Sequence, residues 1–425
     1  MSFVKQGIRA GLVVSSLVLC ILLLYSYHNY LTPPVRFKLH ITGSSTSDKQ
    51  NSKLQERWHD MAEVKLKHPD SKNQSISSLS LDESQETVEE NHCTPRSNIV
   101  FFKMHKCSSS TVQNILFRYG EEHKLDFVLP KKGNYLGDMY GVFNKKVMMK
   151  FPVKKYNILC HHTRFSYRGM AEVMKSDAVY TTIIRNPVTM YESLFTYSNF
   201  DSLYNLPRNR ALELFLEQPE HYYSLAHGGK CKARNPMLFD LGLEEALLSD
   251  RLKIKKKIQL LVRQFDLVML TEYFDESLIL FRDLMCWEMD DIIYFVLNAR
   301  NKSSVKAVSP QMADKIRQWN FGDVQLYNTF NRTFWKKVEA FGHERMRQEV
   351  AQLRQRREFF EKLCIAEVVS EDYEVWRPPG IDIDSFKLKP EAMENRTCLR
   401  MAQTELPYSD RIREIQVQRY RREKG

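Results

Sequence analysis

Lys103 and Lys106 stand at the end of an apolar run, and Ser108, Ser109, Ser110 and Thr111 follow at once in "FFKMHKCSSSTVQNILF", residues 101–117. A strand that turns into a helix opening on hydroxyl residues is an arrangement that captures phosphate. Amides at a helix start have no intrahelical acceptor, so they can point at an anion, and the helix dipole favours negative charge. The hydroxyls add donors and Lys106 adds a mobile positive charge. The same residues also read as an ordinary serine cap. The loop has no glycine, and the Walker pattern G-x-x-x-x-G-K-[ST] occurs nowhere in the chain. Hydrolysis of a nucleoside triphosphate is therefore disfavoured.

A second stretch, "TTIIRNPVTMYES", places Arg185 at the end of another apolar run, before Asn186-Pro187 and a helical pattern. Ser193 follows Arg185 by about two helical turns, on a face that can look back toward the strand end. An arginine and a hydroxyl there could hold a second phosphate. The plainer alternative is a surface arginine before a turn, since Asn-Pro often starts one. Two anion sites at parallel strand ends would suit a nucleotide with phosphates at both ends.

The elements that must position these residues alternate along the chain. "SNIVFFKM", "YNILCH", "AVYTTIIR" and "DLVMLTE" read as buried strands. "STVQNILFRYGEEH", with Gly120 near its end, "VTMYESLFTY", "IKKKIQLLVRQF" and "DESLILFRDLMCW" read as helices. The alternation implies an α/β domain, a P-loop-like parallel sheet flanked by helices. Residues 309–366 continue as a helical C-terminal part, and the tail after Pro378 reads as irregular and ends in a basic cluster. No internal repeat is present.

The chain has 425 residues and a net charge of +11, from 63 basic and 52 acidic residues. That excess favours an anionic ligand or surface. Nucleic acid would fit the charge, but the N-terminus argues against it. "AGLVVSSLVLCILLLYSY" is uncharged, and its 18 residues rise about 27 Å as a helix against a bilayer core of roughly 30 Å. Extension to Leu31 closes the gap, and Lys5 and Arg9 keep the short tail cytoplasmic. A cleaved signal peptide is the rival, but the run is long for one and no clean cleavage site follows. The expected organisation is a cytoplasmic tail (1–9), a transmembrane signal anchor (10–31), a serine-rich stem (32–95), a lumenal domain (96–378) and a basic tail (379–425). Sequons at Asn73, Asn301, Asn331 and Asn395 agree with a lumenal address. Seven cysteines follow the anchor: Cys93, Cys107, Cys160, Cys231, Cys286, Cys364 and Cys398. An odd number leaves one unpaired unless a bond between chains makes a homodimer. With no close C-x-x-C pair, a structural zinc site is not expected.

Lys106 to Thr111, taken with Arg185-Asn186-Pro187 and Ser193, resembles the paired 5′-phosphosulfate and 3′-phosphate motifs of Golgi sulfotransferases. Those enzymes use 3′-phosphoadenosine 5′-phosphosulfate (PAPS). "YNILCHHTRF", "FDLGLEEAL", "LTEYFDESLILFRDLMCWEMDDIIYFVLNAR" and "FNRTFWKKVEAFGHERM" narrow the resemblance to the galactose 3-O-sulfotransferase family, over roughly residues 97–364. The family loop usually reads K-T-H-K-T-A-S-S-T. Met104, Cys107 and Ser108 replace Thr, Thr and Ala here, which spares the backbone role but not a hydroxyl role at positions 104 and 107.

The resemblance implies sulfate transfer from PAPS to the 3-hydroxyl of a β-galactose, without a metal, in the Golgi. A galactose-terminated glycolipid is the favoured acceptor, and galactose on N- or O-linked glycans is the alternative. Lys103, Lys106, Cys107, Ser108, Ser109, Ser110, Thr111, Arg185 and Ser193 are the expected donor-binding residues. Lys106 would stabilise the leaving group. A sugar hydroxyl needs a base, and His162, just past the second strand, is the candidate. His161 is its rival, and adjacent residues on a strand point opposite ways. Arg164 is read as a contact to substrate or phosphate, or as a surface ion pair. His105 is expected only to support the loop. The carboxylates Glu272, Asp275 and Glu276 suit a helix start, with contact to the acceptor as the alternative. Two other classes compete. A metal-dependent glycosyltransferase would use a D-x-D pair such as Asp382-Ile383-Asp384. A non-catalytic lumenal binding protein would tolerate loss of His162 and Lys106.

Overall fold

The computed structural model describes residues 93–138, 140–225, 230–301, 305, 307–369 and 381–422. The expected cytoplasmic tail, the anchor, the stem up to residue 92 and Asn73 lie outside them. Among the described residues no helix is long and apolar enough to cross a membrane.

Four parallel strands form the central sheet: β1 (Ile99–Phe102), β2 (Ile158–Leu159), β3 (Val179–Ile184) and β4 (Leu267–Leu270). Their order is β2-β1-β3-β4. Phe102 pairs with Thr182, Val100 with Leu159 and Ile184 with Leu270. The strands are unbroken apolar runs because both faces of the sheet are covered, and every residue of β1 is fully buried. The expected strands appear in place, although "YNILCH" pairs over only two residues. The chain leaves β1 for β2 on one side, then crosses to β3 on the other. That reversal puts a crevice between the C-terminal ends of β1 and β3, where open α/β sheets bind ligands.

The main helices are α1 (Ser109–Glu122), α2 (Pro187–Tyr197), α3 (Pro236–Asp240), α4 (Arg251–Gln264), α5 (Phe274–Met285), α6 (Pro310–Trp319), α7 (Phe321–Phe341) and α8 (His343–Cys364). Two more, α9 (Arg396–Ala402) and α10 (Glu405–Arg422), follow later. α2 is seated on a second apolar cluster in which Val188, Tyr191 and Phe195 meet Phe200, Phe215 and Trp319. Helix α1 passes close under Phe127 at Gly120. A Cβ there would stand 2.2 Å from the Phe127 ring and 2.8 Å from Ile158. Overpacking of this kind costs about 1–3 kcal/mol. Gly120→Ala is therefore expected to lower the melting temperature, read by calorimetry; an unchanged transition would contradict this packing.

The tail is not irregular. Residues 385–388 form β6, paired antiparallel with β5 (Ile365–Val369), and α9 and α10 follow. α10 lies against α1 and buries Tyr408, Ser409, Ile412 and Gln416, so the folded domain extends to residue 422. Two of those four buried positions are polar, which hides the apolar period that marks a helix in sequence. Gln416 compensates by bonding both the N–H and C=O of Phe127, at 2.8 and 3.1 Å. Disulfides join Cys93 to Cys286 and Cys364 to Cys398, while Cys107 and Cys160 are buried thiols.

Candidate active site

β1 ends at Phe102, and the chain curls before α1 starts at Ser109. Lys106 and Ser108 hold left-handed backbone, with φ of 58° and 57°. For residues with a Cβ this costs roughly 1–2 kcal/mol each. Tertiary bonds offset it. Ser109 donates to the Met104 carbonyl at 2.5 Å, Thr271 to the Cys107 carbonyl at 3.1 Å and Arg185 to the Lys106 carbonyl at 3.3 Å. The glycine-free loop thus takes the wrap that glycine usually supplies. Ser108 occupies the N-cap position without capping through its side chain, so the ordinary serine-cap reading fails. The Thr111 amide turns back to the Ser108 carbonyl at 3.2 Å, whereas the amides before it have no acceptor four residues back within the helix.

The hydroxyls are not equivalent. Ser109 is spent on Met104, and Thr111 Oγ1 accepts from the Leu297 amide at 3.1 Å. Ser110 accepts from Lys103 at 2.9 Å and donates to Glu405 at 2.8 Å. Cys107 is fully buried, and burial pushes its thiol pKa well up, leaving it a backbone role.

The cations divide in the same way. Lys103 is 1% exposed and paired with Glu405 at 3.1 Å, so it does not stand free for a donor phosphate as expected. Among the described residues Lys106 and Arg185 pair with no carboxylate. Lys106 Nζ sits 3.7 Å from the centre of the Tyr197 ring. Burial, with Arg185, Arg300 and Lys103 nearby, lowers its pKa to about 7. Arg185 Nε donates to Thr189 at 3.0 Å. Ser193 is buried on α2, beside Glu192, whose carboxylate holds Arg300 at 2.6 Å. Sequence reasoning assigned no role to Arg300 or Glu192. Glu272 does stand in the first turn of a short 3-10 helix, Thr271–Tyr273, and it also accepts from the Asn186 amide at 2.7 Å and from Tyr327 at 3.0 Å, fixing the turn after β3. Asp275 and Glu276 do sit in the first turn of α5.

β2 ends at Leu159, before both histidines, and His161 and His162 have different partners. His161 is fully buried and bonds Ser409 at 2.8 Å. His162 stacks against both His105 and Tyr135, at ring separations of 4.4 and 4.9 Å, and those two rings are 6.0 Å apart. Burial, then Lys103, His105 and Lys232, holds its pKa well below the ordinary value, so the ring is neutral at neutral pH. His105 does more than support the loop. Its Nδ1 meets Asp240 at 2.6 Å, and its Nε2 meets Tyr135 at 2.9 Å and Lys232 at 3.0 Å. Lys232 and Asp240 were not legible as site residues, because nothing local ties either to His105. Arg164 is structural. It donates to the carbonyls of Phe239 at 3.0 Å and Leu243 at 2.9 Å, and to that of Tyr140.

Among the described residues no cluster of metal-ligating side chains occurs. Of the D-x-D triplet, Asp384 accepts from Asn301 at 3.2 Å, and Ile383 bridges Arg300. The triplet therefore packs beside Arg300 and Asn301. That bond also engages the Asn301 sequon. Asn331 lies within α7, and Asn395 caps α9 with its side-chain oxygen.

A family model described as galactose-3-O-sulfotransferase matches residues 4–416. The chain is 38% identical to the galactosylceramide sulfotransferase of Mus musculus over 332 residues, 74% of this chain and 78% of that one. The Homo sapiens galactosylceramide sulfotransferase is likewise 38% identical over 330 residues, again 74% and 78% of the two chains. Galactose-3-O-sulfotransferase 2 of Sus scrofa is 35% identical over 338 residues, 75% of this chain and 84% of that one.

Proposed function

This chain belongs to the galactose-3-O-sulfotransferase family, and on that premise we propose that it moves the sulfuryl group of PAPS to the 3-hydroxyl of a β-galactose on a glycolipid of the galactosylceramide type. The observation that carries the reading is the pair Lys106 and Arg185, cations without a carboxylate partner among the described residues, at the C-terminal ends of β1 and β3 where the strand order reverses. The glycolipid follows the naming of the galactosylceramide sulfotransferases. Galactose on a glycan is the second acceptor class, favoured by the match to galactose-3-O-sulfotransferase 2.

Lys106 and the amides at the start of α1 would hold the phosphosulfate, while Arg185 and Ser193 would hold the 3′-phosphate. The acceptor hydroxyl loses its proton to His162 as its oxygen attacks sulfur. A new S–O bond forms to the sugar, and the bond from sulfur to the bridging phosphate oxygen breaks. The electron pair stays on that oxygen, beside the Lys106 ammonium. The products are a galactose 3-sulfate and adenosine 3′,5′-bisphosphate. The Asp240–His105 pair supports a second choice of base, since a carboxylate 2.6 Å from Nδ1 orients an imidazole for proton transfer.

The proposal includes a Golgi membrane anchor at residues 10–31 and a lumenal domain. Two disulfides, Cys93–Cys286 and Cys364–Cys398, support an oxidising compartment. The test is incubation of the chain with sulfur-labelled PAPS and a panel of galactosylceramide, lactosylceramide and type 1, type 2 and core 1 glycans. Labelled galactosylceramide is expected, and no labelled product from any acceptor would sink the reading.

The titrating groups set a pH profile. His162 has a depressed pKa, so it is neutral and able to accept a proton throughout the range above 6.5. Lys106 must keep its proton, and in the free enzyme it loses it as pH rises through about 7. For the donor, kcat/KM is expected to fall on the alkaline side of neutrality. Lys106→Arg should shift that limb upward, because guanidinium does not titrate there. An alkaline limb that stays put in the arginine variant would assign the titration elsewhere.

A further inference from the structure

We infer that Glu405, carried in by α10, is a positioning residue of the transfer site: its carboxylate joins the anion loop to the segment that brackets His162. The inference rests on the function proposed above. One carboxylate oxygen accepts from Lys103 Nζ at 3.1 Å and from Ser110 Oγ at 2.8 Å. The other accepts from Asn134 Nδ2 at 2.6 Å and lies 4.0 Å from His162 Nε2. Asn134 begins the backbone bracket of the histidine. The His162 amide donates to the Asn134 carbonyl at 3.1 Å, and the Leu136 amide donates to the His162 carbonyl at 2.7 Å. A single carboxylate therefore links both sides of the reaction centre, and it comes from nearly three hundred residues away in the chain (295 from Ser110).

Glu405 is held rather than mobile. α10 is tied down by Tyr408 and Arg411 to Glu121 at 2.9 and 2.8 Å, and by Ser409 to His161 at 2.8 Å. Gln416 adds its two bonds to the Phe127 backbone. A glutamate at the first residue of a helix so anchored is a fixed part of the site, not a plug that swings away. Its charge has a definite use. Lys103 is buried, and a buried cation requires a partner. Once Glu405 supplies it, the cations left without a carboxylate among the described residues in this loop and after β3 are Lys106 and Arg185, which can face an anionic donor. Helix-start geometry favours the ionised glutamate as well.

The test compares full-length wild type with Glu405→Gln, Glu405→Asp, Asn134→Ala, the double variant of Glu405→Gln with Asn134→Ala, and Arg419→Ala, reading kcat, donor KM and melting temperature. A positioning role predicts that Glu405→Gln lowers kcat by about tenfold to a hundredfold. Donor KM should move by less than about threefold. Asn134→Ala should lower kcat in the same direction. The double variant should be no slower than Glu405→Gln alone, because both act through one bracket. Glu405→Asp, which keeps the charge, should recover part of the rate. Arg419→Ala loosens the far end of the same helix, where Arg419 pairs with Asp126, so it should lower the melting temperature and leave kcat unchanged.

Several results would overturn the inference. These are wild-type kcat in Glu405→Gln, multiplicative losses in the double variant, or an equal kcat loss in Arg419→Ala. A lower donor KM with full kcat would instead make Glu405 a competitor of the donor phosphate. Should Glu405→Gln fail to fold, Asn134→Ala with wild-type kcat overturns it as well. Absence of transfer by the wild type would remove the proposed function itself, an outcome distinct from all of these.

Discussion

Replacing Lys106 by methionine is expected to lower kcat for sulfate transfer by about 10²–10³, measured at saturating labelled PAPS and acceptor. The substitution isolates charge. Methionine keeps the length and the Cβ, so the left-handed backbone at φ 58° stays as costly as before. What disappears is the ammonium beside the breaking bond. That group is held over the Tyr197 ring, near Arg185, Arg300 and Lys103, in surroundings that pull its pKa to about 7. Such a lysine is poorly solvated and poorly compensated until an anion arrives. Charge developing on the leaving phosphate is then stabilised without reorganising solvent. Donor KM should rise too, since the ground-state phosphosulfate already carries charge. A kcat within about threefold of wild type would remove Lys106 from the chemistry.

The second large effect is expected at the base. His162→Ala should lower kcat by about 10²–10⁴ while leaving donor KM nearly unchanged, because no phosphate contact is lost. His162 is suited to the role, since burial and the neighbouring Lys103, His105 and Lys232 keep the ring neutral. The same stack contains its competitor. His105 lies 4.4 Å away, ring to ring, and is oriented by Asp240. His105→Ala and Asp240→Asn, measured beside His162→Ala, separate the two. If His162 is the base, both should cost less than His162→Ala. A larger loss at His105, shared by Asp240→Asn, would move the proton to the Asp240–His105 pair and leave His162 as its stacking partner.

Much of this was legible in the sequence, for physical reasons. Parallel strands covered on both faces must be continuous apolar runs, so β1, β3 and β4 stood out between helical periods. A strand, a tight turn and a hydroxyl-rich helix start suit an anion, so the Lys106 loop and the Arg185 turn stood out as candidates. α10 escaped notice because Ser409 and Gln416 interrupt its buried stripe. The left-handed backbone at Lys106 and Ser108 escaped notice because no glycine signals it, and bonds from Ser109, Thr271 and Arg185 stabilise it from outside the loop. Arg164 was open between substrate and surface, whereas its guanidinium is occupied by backbone carbonyls.

The sequence by itself determined the kind of site to expect: parallel strand ends that carry cations, hydroxyls and helix starts of the sort that can hold phosphate. Only the tertiary structure decided which of those groups are available. Lys103 and Lys106 lie three residues apart and look alike in the chain, yet one is neutralised by Glu405 and the other pairs with no carboxylate among the described residues. Local rules of strand and helix act over a few residues and leave a periodic trace. Pairing through space between residues 103, 134, 162, 232, 240 and 405 leaves none, and that pairing sets which charge is free to bind.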